Sequence, residues 1–149
     1  MIKNLEVNFE NNAKINKSVI NKIVVELRKD LHFEISSLII NFVSAAKITE
    51  LNKIHLNHNY STDIITFNYS DDKSVIDTEI FISTDDAREN ADKFYVSFDE
   101  EIIRLVIHGI LHVTGYDDKT PSEKKKMKRM ENKLLNNYKF VLLKKKNKI

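Results

Sequence analysis

The chain has 149 residues, a length that fits one ordinary domain and buries roughly two thirds of the surface that its unfolded form exposes. It contains no cysteine, which excludes disulfides and thiolate metal sites, so any transition metal must be held by His, Asp or Glu. The N-terminal residues lack the apolar stretch of a signal peptide, and no apolar run approaches a membrane span, which predicts a soluble cytoplasmic protein.

The net charge of +2 hides two parts of opposite sign. From Lys119 onward there are twelve Lys and Arg against two acids, Glu123 and Glu131, whereas residues 1–118 hold twelve basic and twenty acidic residues. A basic segment of this kind can bind a phosphate backbone, because each neutralised phosphate releases a condensed counterion. A solvated helix face with a lysine-rich end explains the same composition, and both interpretations stay open.

The first half of the chain alternates strand-like and helix-like patterns. Period-two alternation and β-branched runs predict strands, and apolar residues at helical spacing predict helices. In chain order these are a strand at 2–9, a helix at 17–31, a strand at 35–43, a short helix at 46–54 and strands at 63–69 and 75–83. The first three form a β-α-β unit, and the polar residues 70–74 predict a turn that makes the last two strands a hairpin.

The second half of the chain is predicted to be helical. One helix covers about 85–94 and opens with acidic residues suited to the positive end of a helix dipole. Two capping boxes of the Ser/Thr-x-x-Glu type, Ser97 to Glu100 and Thr120 to Glu123, predict the starts of two more helices.

The last of these helices is basic. Pro121, the chain's single proline, stands at the first helical position, where its missing N–H costs nothing. We expect this helix to run to about Tyr138. The sequence predicts a single domain over residues 1–143 and a basic, disordered tail over 144–149, which has no apolar face.

Residues 108–118, HGILHVTGYDD, contain a set of metal-ligating side chains. His108 and His112 are four residues apart on the helix that begins after Ser97, so their side chains project from one face and can share an ion. Asp118 follows after a predicted chain reversal. The expected metal ligands are therefore His108, His112 and Asp118, on a helix and the turn that follows it.

Both glycines of the chain lie inside this motif. Gly109 lies within the helix, where glycine costs about 1 kcal/mol relative to alanine, so it should mark a close approach by another segment or by a substrate. Gly115 follows the last apolar helical residue and should end the helix in a left-handed conformation that directs Asp118 back toward the imidazoles.

Two histidines and a carboxylate suit a catalytic zinc, which keeps three protein ligands and an open position for water. Such a water ionises near pH ~7 and supplies hydroxide for hydrolysis. Iron and other divalent metals accept the same ligands. The spacing also matches the metzincin peptidases, but the general base that follows their first histidine is replaced here by Gly109, which disfavours a peptidase.

The motif, together with ELNKIHLNHNYSTDIITF (residues 50–67) and ISTDDARENADKF (residues 82–94), resembles the YbeY family of bacterial metal-dependent endoribonucleases. The resemblance covers roughly residues 5–135. It implies an α+β fold with zinc in a cleft and cleavage of single-stranded RNA. It also implies a role with the small ribosomal subunit, in 16S rRNA 3′-end maturation and ribosome quality control.

The sequence departs from the family pattern at two positions. The family motif commonly ends in a third histidine, where Asp118 stands here; a carboxylate is a competent zinc ligand, although its charge makes a bound water less acidic. Many members carry an arginine thought to contact phosphate, and this position is Leu56. The nearby His58 is a candidate catalytic residue that could contact the scissile phosphate or shuttle a proton; an exposed loop histidine is the alternative.

Two further side chains have structural explanations. Arg104 is expected to form a salt bridge with Glu101 or Glu100 rather than to act in catalysis. Asp117 either orients a ligand imidazole or serves the turn.

The sequence therefore predicts a zinc-dependent endoribonuclease specific for single strands. Two alternatives remain: a metallopeptidase, and a non-enzymatic ribosome-associated factor with a structural metal. Spacing does not indicate the oligomeric state.

Overall fold

The structure, a computed structural model, describes residues 2–10, 15–55, 57 and 60–146, with side chains described as far as Lys139. The strands are β1 (Leu5–Phe9), β2 (Glu34–Val43), β3 (Ile64–Asn68) and β4 (Val75–Ser83). The helices are α1 (Lys17–Leu31), α2 (Ala45–His55), α3 (Thr84–Phe94), α4 (Phe98–Val113) and α5 (Pro121–Lys146).

The strands form one mixed sheet in the order β1-β2-β4-β3. β1 and β4 both pair in parallel with β2, while β3 pairs antiparallel with β4 at the sheet edge. Because α1 connects two adjacent parallel strands, the predicted β-α-β unit is confirmed, and the β3–β4 hairpin is confirmed as well. The fold is the expected α+β arrangement with a four-stranded mixed sheet.

Side-chain caps begin the two helices that carry the site. The Ser97 hydroxyl accepts the Glu100 N–H at 3.1 Å and starts α4. At α5 the capping box is reciprocal: the Thr120 hydroxyl accepts the Glu123 N–H, and the Glu123 carboxylate accepts the Thr120 N–H, each at 3.1 Å. Both predicted helix starts are therefore confirmed.

Helix α5 is longer than the sequence predicted. It continues to Lys146, past the expected end near Tyr138, so the first three residues of the expected tail at 144–149 are helical and the other three lie outside the described residues. In the part of the chain that the structure describes, no helix is long and apolar enough to cross a membrane.

The sheet separates a large core from a small one, and β4 contributes to both because its side chains alternate between faces. Ile80 and Ile82 belong to the large core, together with buried residues of α1, α4 and α5. Phe81 packs on the other side, against the small core that includes Ile48 of α2. Helix α4 is thereby fixed against the sheet through its apolar face.

Gly109 lies where α4 approaches the sheet most closely. A Cβ atom at this position would lie 3.1 Å from the Cδ1 atoms of both Ile64 and Ile80. The close approach that the sequence predicted is therefore made by β3 and β4, not by a substrate. This contact sets the distance between the sheet and the helix that carries His108 and His112.

Replacing Gly109 by valine should destabilise the protein by about 1–3 kcal/mol, because the added isopropyl group overpacks a filled contact. Urea unfolding monitored by circular dichroism measures this change. Lys125→Val is the matched control, since it places the same β-branched residue at an exposed position of α5. Equal unfolding midpoints for the two variants would show that the sheet does not restrict this position.

Candidate metal centre

The chain reverses direction directly after α4. Gly115 has φ +118°, a backbone conformation that residues other than glycine rarely adopt. The Tyr116 N–H reaches back across it to the Leu111 carbonyl at 3.0 Å, the bond that closes a Schellman-type helix end. The left-handed helix end predicted at Gly115 is confirmed, and the residues that follow run back along the end of α4.

This reversal brings three potential metal ligands together. One ligand atom from each of His112, Asp117 and Asp118 lies within 4.8 Å of the others. His112 and Asp118 are exposed and Asp117 is half-buried, so the group opens to solvent. The carboxylate that the sequence placed near the imidazoles is therefore beside His112, and a second carboxylate accompanies it.

Asp117 has a role in the turn. Its Oδ1 atom accepts the Asp118 N–H at 2.8 Å, which fixes the backbone between the two carboxylates. Of the two roles considered from the sequence, the turn role is the one for which the structure shows a hydrogen bond.

His108 lies one helical turn before His112 but outside that three-residue group. Its Nδ1 atom is 2.8 Å from Oε2 of Glu131 on α5. His108 and Asp118 line the same cavity of about 240 Å³, together with Lys124, Met127 and Lys128 of α5. His108 and Asp118 thus line one cavity, and Asp118 lies close enough to His112 for both to bind the same ion.

Glu131 is a buried acid whose charge is compensated on two sides. Its side chain is 2% exposed, and its Oε1 atom accepts a hydrogen bond of 2.8 Å from Arg104. Burial raises the pKa of the Glu131 carboxyl, but the hydrogen bonds and charges of His108 and Arg104 outweigh burial and bring this pKa to about 2. Glu131 is therefore ionised throughout the neutral range.

Arg104 also holds Glu101, through a bond of 2.8 Å from its Nε atom, so the predicted salt bridge is confirmed and extended to a third residue. Hydrogen bonding to Glu101 raises the pKa of the Arg104 guanidinium above its ordinary value; burial opposes this rise and Glu131 adds to it. The guanidinium is a fixed charge between two buried carboxylates.

The ionised Glu131 fixes a hydrogen on one nitrogen of His108. A carboxylate can only accept, so Nδ1 donates, and Nε2 is the nitrogen left to act as a ligand. Histidines that bind metals generally donate their other N–H to a carboxylate or carbonyl in this way. His108 is therefore oriented and in the tautomer suited to bind a cation through Nε2.

Sequence reasoning missed Glu131, although its pattern carried a signal. Met127, Glu131, Leu134 and Tyr138 recur at helical spacing, and all four are buried. An acid within the apolar stripe of a basic helix indicates a buried partner. The identity of that partner required the packing of α5 on α4.

Two predicted positions, Leu56 and His58, lie outside the described residues. The neighbouring His55 ends α2 and packs edge-on against Phe67, with ring centroids 5.0 Å apart. His55 is thus part of the packing between α2 and the sheet.

Residues 2–139 match the family model described as endoribonuclease YbeY. The chain belongs to this family. An endoribonuclease YbeY from Parabacteroides distasonis is 46% identical over 94 residues, which cover 63% of this chain and 66% of that protein. One from Chlorobium limicola is 35% identical over 125 residues, 84% of this chain and 86% of that protein.

A solved structure supports the same fold. The solution structure of a protein from Thermotoga maritima has a TM-score of 0.66 and 25% sequence identity, and the match covers 95% of this chain and 93% of that one. Membership in the YbeY family supports an RNA endonuclease, which is a hydrolase.

Replacing Glu131 by glutamine should lower metal affinity about 10- to 100-fold, because the neutral amide no longer fixes the Nδ1–H of His108. Titration with Zn²⁺ against a competing chelator measures the change. Glu89→Gln, at an exposed position of α3, is the control and should keep the affinity of the unaltered chain. An unchanged affinity in Glu131→Gln would show that Glu131 has no part in metal binding.

Proposed function

We propose that the protein is a zinc-dependent endoribonuclease specific for single-stranded RNA, acting in the cytoplasm on the 16S rRNA precursor in 3′-end maturation and in ribosome quality control. The main support is geometric: Asp118 lies close to His112 and lines the same cavity as His108. The chain also belongs to the endoribonuclease YbeY family. The ribosomal role follows the family resemblance. The small ribosomal subunit is accordingly the proposed partner.

The residues fit a transition metal. Imidazole nitrogens and carboxylate oxygens suit zinc, and three such ligands leave the open position that catalytic zinc sites keep. We assign the ligands to His108, His112 and Asp118. A bound zinc ion would lower the pKa of a coordinated water to about 7 and so make a nucleophile available at neutral pH.

His108 is preferred to Asp117 as the third ligand for two reasons. His108 has its Nδ1 atom bonded to the ionised Glu131, which leaves Nε2 as the acceptor directed to other partners. Asp117 already accepts the Asp118 N–H, which fixes the turn. Glu131 acts as the positioning residue for His108, and Asp117 as the positioning residue for Asp118.

Helix α5 supplies the charge that holds the RNA backbone. Lys124 and Lys128 line the same cavity as His108 and Asp118, and the Lys128 side chain is 60% exposed. The ion pair between Lys128 and Glu131 is long, at 3.5 Å, and Glu131 is already bonded to Arg104 and His108. Lys128 can therefore turn to a phosphate group at low cost.

His58 retains the role that the sequence suggested for it. We propose that it contacts the scissile phosphate or shuttles a proton, a task suited to an imidazole near neutral pH.

The double replacement of His108 and His112 by alanine should abolish zinc binding and cleavage of single-stranded RNA, because it removes both nitrogen ligands. Metal analysis and a gel assay with labelled RNA measure the two effects. Asp117→Asn is the comparison and should retain most of both. An unchanged cleavage rate in the double variant refutes the assignment. Loss of zinc in Asp117→Asn, together with zinc retained when His108 alone is replaced by alanine, would favour His112, Asp117 and Asp118 as the ligands.

The two alternative functions make different predictions. A peptidase needs a general base at the position of Gly109, which is buried against Ile64 and Ile80 and carries no side chain. A structural metal needs a closed site, whereas His112 and Asp118 are exposed. The structure therefore favours an open, catalytic metal over both alternatives.

Treatment with a chelator should abolish RNA cleavage but lower the melting temperature only slightly, because the core does not depend on the exposed ligands. Casein should remain intact under conditions where single-stranded RNA is cut. The measurements are thermal melts with and without chelator and parallel incubations with the two substrates. Unfolding on chelation would indicate a structural metal, and degradation of casein that chelation stops would indicate a peptidase.

A further inference from the structure

A second cavity, of about 500 Å³, lies next to the cavity of the candidate metal centre. The two cavities share Arg104 and Lys128 as lining residues. The second cavity extends toward the start of α4, where Glu101 lines it, and seven residues of helix place Glu101 about 10 Å from His108 along the axis. A short stretch of extended single strand can span that distance.

One aromatic side chain lines this second cavity, and another follows it directly in the chain. Phe94 lines it and is 57% exposed, and the next residue, Tyr95, is 96% exposed. Lys93 Nζ lies 5.6 Å from the centroid of the Phe94 ring, which places a cation beside it. Exposed aromatic rings flanked by cations are the elements with which proteins stack the bases of single-stranded nucleic acids.

The backbone conformation of Tyr95 is unfavourable for a tyrosine. Tyr95 ends α3 with φ 57°, in the left-handed region that costs a bulky residue about 1–2 kcal/mol and that glycine or asparagine adopts readily. The ring gains little burial in return, because almost all of it faces solvent. Folding alone does not explain a tyrosine at this position.

The charges that line the second cavity are partly compensated, and the balance is acidic. Arg104 is shared between Glu101 and Glu131, Lys139 pairs with Glu100 at 3.3 Å, and Asp63 accepts a hydrogen bond from the Asn90 amide. The amide side chains of Asn90 and Asn132 also line the cavity. An acidic wall with amides and an aromatic ring suits a neutral nucleobase better than a phosphate, while the exposed Lys128 between the two cavities suits a phosphate.

We propose that the second cavity binds a nucleobase of the single-stranded RNA substrate. The base stacks on Phe94, with Tyr95 beside it, and Lys128 holds the phosphate that links this nucleotide to the strand at the metal centre. This base subsite rests on the proposed function, since it concerns the same RNA. It gives a physical reason for single-strand specificity, because a base within a duplex cannot leave its stack to enter the cavity without unpairing.

The absence of tryptophan from the chain allows a direct test. Phe94→Trp introduces the one indole, whose fluorescence a stacked base quenches. Rapid mixing with a single-stranded oligoadenylate, before cleavage proceeds, should quench the emission with the same concentration dependence as fluorescence anisotropy of labelled RNA. An abasic ribose-phosphate oligomer of equal length should bind more weakly and leave the emission unchanged.

Matched variants distinguish the effect of an aromatic ring on RNA binding from the effects of side-chain size and of protein stability. Phe94→Leu should raise the KM for oligoadenylate about tenfold with little change in kcat, whereas Phe94→Tyr should restore the KM. Tyr95→Asn should weaken binding while leaving the melting temperature equal or higher, a combination that a purely structural role would not produce. Lys128→Ala should also raise KM, and Lys29→Ala, a 68% exposed lysine of α1, is its control.

The outcomes distinguish this proposal from the proposed function. Binding and cleavage of oligoadenylate without quenching in Phe94→Trp, and with unchanged KM in Phe94→Leu, would overturn the base subsite and leave the endoribonuclease assignment intact. Failure of the unaltered protein to bind or cut single-stranded RNA would overturn both. Equal quenching by the abasic oligomer would show that the indole reports phosphate binding, which also overturns the base subsite.

Discussion

One buried carboxylate, that of Glu131, joins the two helices on which the site is built. Its two oxygens accept hydrogen bonds from Arg104 and His108 of α4, each at 2.8 Å. A buried carboxylate is costly unless its charge is compensated, so the position of α5 on α4 is tied to this pair of contacts. The same contacts orient the imidazole of His108 and hold the Arg104 side chain in place where it lines both cavities. Packing and site geometry therefore depend on one ionised group.

The two glycines of the chain determine where the remaining groups lie. Gly109 lets α4 approach β3 and β4 closely, which fixes the depth at which the histidines stand above the sheet. Gly115 lets the chain reverse after α4, which returns Asp117 and Asp118 to His112. The open side of the centre faces the lysines of α5. A basic helix beside an acidic and imidazole-lined centre is an arrangement that attracts a polyanion to the point where chemistry can occur.

The arrangement also relates the metal centre to the aromatic residues after α3. Arg104 offsets part of the negative charge of Glu101 and Glu131, and Asp63 leaves the lining of the larger cavity acidic, so this cavity fits a neutral base better than a phosphate. Lys128 borders both cavities and is the one exposed cation that the two linings share. The proposed path of the substrate therefore runs along α5, from the metal centre past Arg104 to Phe94. In this family, the YbeY endoribonucleases, such a path would join the cleavage site to base recognition.

Local pattern determined much of this protein. Strand alternation, helical periodicity and the capping residues Ser97 and Thr120 are properties of neighbouring residues, so the elements, the hairpin and the α+β class could be predicted from the sequence. The spacing of His108, His112, Gly115 and Asp118 is equally local, because a helix and its terminating turn have a defined geometry. The extension of α5 to Lys146 was not predicted, since Lys144, Lys145 and Lys146 add no apolar side chain to the helical pattern. Tertiary structure alone decided three features: which residues pair with Glu131, which strands contact Gly109, and that Arg104 and Lys128 line two adjacent cavities. Each of these features depends on elements far apart in the chain that meet only when the helices pack on the sheet.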